Sequence, residues 1–221
     1  MPTPIELITS KTCPFAQRTA IMLFEKGISF TTTYVNLLEK PEWFLQISPL
    51  GKIPLLRIND QVLFESAIIN EYLDETHAPQ MHPEDPLLRA RHRAWIEFSS
   101  ELIMNSGRMI YAVDEPTFKT ERQILLDKLS RLEGELTKTP YFNGETLSLV
   151  DVAIAPLFIR LREFLTYDPQ PLFNHMPKIR AWSENLLNRH SIQACLPPDY
   201  SELFLYVLKI KGKYFFKKSQ P

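Results

Sequence analysis

Cysteine is scarce in this chain: Cys13 and Cys195 are the only two among 221 residues. Two thiols so far apart do not make a disulfide framework, and a reducing compartment leaves both free. Ala16 stands where the second thiol of a Cys-x-x-Cys pair would be, which excludes a dithiol mechanism within that stretch. A charge surplus is also missing. With 25 basic and 26 acidic residues the net charge is −1, so nothing in the balance points to a nucleic-acid partner. No apolar run approaches the ~20 residues of a membrane span, and Met1-Pro2-Thr3-Pro4 lacks the basic-then-apolar pattern of a secretory signal. The expectation is a cytoplasmic protein with no membrane partner. The five histidines, His77, His82, His92, His175 and His190, have no metal-ligand spacing, so no metal is expected. Internal repeats and low-complexity segments are absent as well.

What is present centres on Thr12-Cys13-Pro14-Phe15-Ala16-Gln17-Arg18. An apolar run, Ile5 to Thr9, precedes it, and a second, Ala20 to Lys26, follows. Pro14 suits the first position of a helix, because its missing N–H would be unpaired there and its φ is already helical. Cys13 then falls at the N-cap. Unpaired N–H groups and the positive end of the helix dipole favour an anion at that sulfur, so the expected thiol pKa lies below the reference of ~8.5. A small buried core thiol is the ordinary use of such a residue.

Residues 5–9 read as a buried strand and 18–26 as a helix closed by Gly27. The alternating, β-branched segment 28–35 reads as a second strand. This is a βαβ unit, which leaves the loop carrying Cys13 at the mouth of a sheet. A short helix around Pro41 to Phe44 follows, then a hairpin, residues 53–58 and 61–64, turning at Asn59-Asp60. A helix over 66–76 has Ile68, Ile69, Tyr72 and Leu73 as its stripe and Ser66 as its cap. The segment 78–86 is rich in proline and lacks an apolar period, which marks an interdomain linker. Beyond it the pattern is helical, over 87–110, 118–136, 149–164, 179–189 and 201–208. The architecture is therefore an α/β domain over 1–77 followed by an all-helical domain over 87–221. Ser148-Leu149-Val150-Asp151 has capping-box spacing and is read as a folding motif, with Leu147 and Val152 placed to form a hydrophobic staple.

Four pieces together carry a resemblance: Cys13 to Arg18; Lys40-Pro41-Glu42-Trp43-Phe44; Gly51-Lys52-Ile53-Pro54-Leu55-Leu56 with Phe64-Glu65-Ser66-Ala67-Ile68; and Ser148 to Asp151 beside Phe142-Asn143-Gly144. Over nearly its whole length the chain resembles the cytosolic glutathione transferases, particularly the cysteine-type omega class. The resemblance implies a thioredoxin-like first domain (βαβ-α-ββα), a helical second domain, and glutathione as co-substrate in the cleft between them. It implies Cys13 as the catalytic residue, forming a mixed disulfide with glutathione that a second glutathione resolves. Pro54 resembles the family's cis-proline, leaving the Ile53 backbone free to pair with the tripeptide. Glu65 and Ser66 resemble the γ-glutamyl site, Lys40 the partner of the glycyl carboxylate, and Phe15 lies close enough to touch the tripeptide. A solvated lysine, a strand-edge proline and a plain helix cap are the ordinary alternatives for Lys40, Pro54 and Ser66.

For a small electrophilic or disulfide second substrate, Arg160 matches an omega-class arginine facing the open cleft, with Tyr111 and Tyr200 added from helix position. Tyr200 departs from the tryptophan of animal omega members. The resemblance also implies a homodimer, the first domain of one subunit against the second of the other. Thiol transferase or dehydroascorbate reductase activity is the expected chemistry. A rival reading is a non-enzymatic regulator, since Glu71 to Glu75 and Ser148 to Asp151 also resemble bacterial stringent starvation protein A, which binds RNA polymerase. The tail from Lys209 to Lys218 is expected to pack its aromatics while its lysines stay solvated.

Overall fold

A computed structural model describes residues 4–137, 140–168 and 172–218, the side chains of 216–218 excepted. The readings of residues 1–3, of the chain's two extremes and of the last lysines' side chains lie outside them. Four strands form one sheet in the order β2-β1-β3-β4. β1 (Ile5–Thr9) pairs in parallel with β2 (Thr31–Tyr34) and antiparallel with β3 (Leu55–Ile58), which closes a hairpin with β4 (Gln61–Phe64). α1 (Pro14–Glu25) makes the parallel crossover, and α2 (Glu42–Ile47) and α3 (Ser66–Thr76) complete the thioredoxin-like unit.

The register explains the two faces of the sheet. Leu7 opposes Leu56, and both belong to the large core with Ile21, Met22 and Leu23 of α1 and Ile69 and Leu73 of α3. Ile8 opposes Leu55, and these point the other way into a small cluster with Val35 and Phe44 of α2. Successive residues thus serve opposite layers, as the period of a strand demands. Each fully buried Leu or Ile stabilises the fold by roughly 1.5–3 kcal/mol against its exposed state.

The second unit is helical: α4 (Pro86–Ile110), α5 (Glu115–Glu135), α6 (Leu149–Leu165), α7 (Pro177–Leu187), α8 (His190–Ala194), α9 (Tyr200–Lys211) and α10 (Lys213–Lys218). No helix among the described residues is long and apolar enough to cross a membrane. α8 and α10 are absent from the sequence reading, being too short to show a period. Of the tail's aromatics whose side chains are described, Phe215 meets Phe118 and Phe164 with centroids 5.0 and 4.8 Å away, and Tyr214 stacks on Phe118 at 5.3 Å. Gly212 stands between α9 and α10, where a Cβ would come 2.7 Å from Leu208 Cδ1 and 2.9 Å from Leu208 O, so the position has no room for a side chain.

The segment between α3 and α4 is tied down. Buried Lys26 donates to Asp74 at 2.7 Å and to the His77 and Pro79 carbonyls, while Asp74 accepts from the N–H groups of Met81 and His82. A second tie holds α1 against the helical unit. Arg18, 1 % exposed, donates to Ala153 O at 2.8 Å, Ser100 Oγ at 2.9 Å and Ser99 Oγ at 2.8 Å. The helix that begins at Cys13 is thus bolted to α4 and α6.

Candidate active site at the start of α1

Cys13 is the N-cap residue of α1 and Pro14 the first helical residue, as the sequence predicts. The sulfur makes no capping hydrogen bond. Its charge state departs from the expectation. Although Cys13 retains some solvent contact, burial among its neighbours pushes the thiol above its ordinary value. The N–H groups of Ala16 and Phe15 and the charges of Arg160 and Arg18 favour the thiolate and offset that push without overcoming it. The helix end acts in the predicted direction, but desolvation is the larger effect. Arg18 itself has only neutral hydrogen-bond acceptors, and burial lowers its pKa to about 10.

Beside this turn lies a cavity of about 200 Å³, walled by Phe15, Ile53, Pro54, Glu65 and Ser66, together with Ser48, Leu50, Lys52, Phe64 and, from α4, Met104. Five residues expected to meet glutathione are therefore brought together. The Ile53-Pro54 bond is cis. Glu65 takes φ 68°, a region a non-glycine residue adopts at a cost of about 1–3 kcal/mol. Glu65 is the N-cap of α3, so Ser66, expected as the cap, is the first helical residue instead. Its N–H is one of the unpaired groups at that end, a good partner for a carboxylate.

Lys40 does not line this cavity. It is exposed, with its Nζ 3.4 Å from where a Cβ on Gly51 would be, so it stands beside the turn leading to Lys52. Lys52 does line the cavity, as does Met104. Lys52 was within reach of the sequence, since it belongs to Gly51-Lys52-Ile53-Pro54. Met104 carries no local signal, being placed by the packing of α4 on the sheet unit.

Tyr111, Arg160 and Tyr200 do come together, though as a largely buried cluster instead of an open wall. Arg160 donates to the Tyr111 hydroxyl at 3.2 Å, with its guanidinium 5.5 Å from the centre of that ring. Arg160 is buried and its Nε has no hydrogen-bond partner. Tyr200 is buried too, its hydroxyl equally without a partner, and burial pushes it up to about 12. The difference has a physical reason: Tyr200, the first residue of α9, lies beside Gln17 of α1 and Arg160 of α6, which sequence spacing does not reveal. Tyr111, the C-cap of α4, keeps partial exposure. Cys195 donates to Ile192 O at 3.1 Å, and burial pushes its thiol up to about 12. No group of three His, Cys, Asp or Glu side chains suited to a metal gathers among the described residues.

A thiol at a helix start, a strand-helix sheet unit and a helical unit behind it define a thioredoxin-like domain joined to a helical one, with a small cavity beside the thiol's turn. Residues 12–76 match the glutathione S-transferase N-terminal domain and residues 73–190 the C-terminal domain. The chain is 35 % identical over 194 residues to glutathione S-transferase omega-1 of Sus scrofa, covering 86 % of this chain and 79 % of that one. The crystal structure of glutathione transferase Omega 3C from Trametes versicolor superposes with a TM-score of 0.79 at 27 % identity, covering 88 % of this chain and 90 % of the other. A rice glutathione transferase solved in complex with glutathione shares the fold, with a TM-score of 0.86 at 24 % identity over 97 % of this chain and 99 % of that one. The chain belongs to the glutathione S-transferase family and is omega-like in kind.

Proposed function

We propose that this glutathione transferase works through a mixed disulfide between Cys13 and glutathione, as a thiol transferase or reductase of the dehydroascorbate reductase type. The observation that carries the reading is the place of Cys13: N-cap of α1, two residues before Phe15, which walls the neighbouring cavity. Glutathione lies along Ile53 and Pro54, its γ-glutamyl end at Glu65 and Ser66, with Phe15 against the tripeptide. Lys40, beside the Gly51 turn, meets the glycyl carboxylate from the rim together with Lys52.

The Cys13 thiolate attacks the glutathionyl sulfur of a mixed disulfide, forming Cys13–S–S–glutathione and releasing the substrate thiolate. A second glutathione thiolate then attacks that glutathionyl sulfur, giving oxidised glutathione and restoring Cys13. Over the two steps one free glutathione thiolate replaces the substrate thiolate in the disulfide, the other half of the oxidised glutathione coming from the substrate itself, so no second protein thiol is needed. The half-exposed Tyr111 and the buried Arg160 and Tyr200 flank the second substrate, and the Arg160 charge favours the thiolate as it forms. The rest of the reading is a division into 1–77 and 87–221 joined by 78–86, a homodimer, and a reducing cytosol.

Incubation with oxidised glutathione followed by peptide mass spectrometry tests the chemistry. One glutathione is expected on Cys13, absent in Cys13→Ser. Cys195, its thiol held protonated by burial, should stay unmodified. An unmodified Cys13 defeats the enzyme reading and leaves a regulator that binds RNA polymerase as its competitor.

A further inference from the structure

The cavity beside Cys13 has an apolar rim that water reaches. Leu50, Phe64 and Met104, which are 56, 42 and 50 % exposed, all line it. Leu50 comes from the turn after α2 and Phe64 from the end of β4, whereas Met104 stands on α4. Among the described lining residues Met104 is the one that the helical unit supplies. Its neighbours Ile103, Asn105 and Ser106 are buried, so the helix turns this side chain alone of the four toward water and the cavity.

Met104 also differs from the other methionines. Met22 and Met109 are fully buried, Met176 is buried, and Met81 is half-buried against the core. Met1 lies outside the described residues. Among the described methionines, then, the thioether most open to a dissolved oxidant is the one in the wall of a binding cavity. A thioether is a soft apolar group that packs well on rings and aliphatic chains. Its sulfoxide is polar and chiral, with an acceptor oxygen. A ligand that covers this wall must strip water from the new S–O dipole, and the side chains of Phe15, Leu50, Pro54 and Phe64 offer that oxygen no donor.

We propose that Met104 is a reversible oxidation site through which a hydroperoxide weakens glutathione binding. The proposal rests on the reading of this cavity as the glutathione site. The Met104 sulfur attacks the terminal oxygen of the hydroperoxide, and an S–O bond forms as the O–O bond breaks. The thioether loses two electrons and becomes the sulfoxide. The hydroperoxide gains them and leaves as an alcohol, or as water from hydrogen peroxide, the proton of the attacked oxygen passing to the departing one. In the return step two thiols of a methionine sulfoxide reductase supply two electrons and become a disulfide, and the oxygen leaves as water.

The test uses the full chain carrying Cys13→Ser, in which peroxide forms no sulfenic acid at position 13. It is treated with hydrogen peroxide, cleared with catalase, mapped by peptide mass spectrometry and titrated calorimetrically with glutathione. One oxygen is expected on Met104 before any appears on Met22, Met81, Met109 or Met176. Glutathione should then bind at least about tenfold more weakly than to the same protein before peroxide, and methionine sulfoxide reductase with dithiothreitol should restore the affinity. With Met104→Leu added, peroxide should leave the affinity where it started. With Met104→Gln, which places a polar group in the wall, binding should be weak before any peroxide. Affinity unchanged once Met104 is oxidised, oxidation of Met22 or Met109 ahead of Met104, or an equal loss in the Met104→Leu chain would each overturn the proposal while leaving the cavity's reading intact. Glutathione failing to bind before peroxide would instead sink that reading, and the proposal with it.

Discussion

At the start of α6 a carboxylate gathers donors from three parts of the chain, whereas at the start of α1 a sulfur stands near the Ala16 and Phe15 N–H groups and two guanidinium charges without making a capping hydrogen bond. Asp151, fully buried, accepts from the Ser148 N–H at 2.8 Å, the Ser148 hydroxyl at 2.6 Å, the Phe142 N–H at 2.9 Å and Trp182 Nε1 at 2.7 Å. Both ends are short in sequence and both begin a helix that carries the core. One has its polar groups satisfied and is a clamp. The other keeps its donors available and is a place where chemistry can happen. Stability and reactivity are separated by whether the capping group is already bonded.

The largest effect should come from the clamp. Asp151→Ala leaves three buried N–H groups and a hydroxyl without their acceptor, a loss expected at about 3–4 kcal/mol in urea unfolding. A loss under about 1 kcal/mol would erase the contrast between the two helix starts.

Next comes the reactivity of Cys13. Burial raises its thiol pKa, so less thiolate exists at neutral pH than in an unperturbed thiol. The rate of alkylation by iodoacetamide, followed by mass spectrometry at that residue, should rise with pH through a midpoint above ~8.5. Arg160→Leu removes a charge that favours the thiolate and should move the midpoint higher still. A midpoint below the ordinary value would mean that the helix end prevails over desolvation.

The smallest effect sharpens the comparison by its sign. Ser148→Ala removes a cap that is in use and should cost about 1 kcal/mol. Cys13→Ser installs a favoured N-cap where none is bonded, and should gain about 0.5–1 kcal/mol while abolishing the glutathione adduct. Thermal or urea unfolding of the two variants checks both signs, and a destabilised Cys13→Ser would show that the sulfur already serves the helix.

Much of the first unit is legible because its signals are local. Pro14 sets the start of α1, and Gly27, at φ 63°, sets its end. The pattern around Asn59-Asp60 sets the hairpin, and Ser148 with Asp151 sets α6. Phe15, Ile53, Pro54, Glu65 and Ser66 meet around one cavity, as their motifs suggest. Other features depend on which element packs on which. Lys52 and Met104 reach the cavity because the Gly51 turn and α4 are placed there by the fold. Arg160 and Tyr200 are buried beside one another, Tyr200 at the start of α9 and Arg160 within α6, and neither residue's neighbours in sequence show that.

By itself the sequence determined that Cys13 begins a helix, that Ala16 denies it a partner thiol, and that a sheet unit precedes a helical one. These follow from backbone preference and residue spacing, which act over a few positions. Only the tertiary structure decided the charge state of Cys13, the lock of Arg18 onto Ala153, Ser99 and Ser100, and the burial of the Gln17 amide. Desolvation is the reason, because how far water is removed from a polar group is set by every element packed around it.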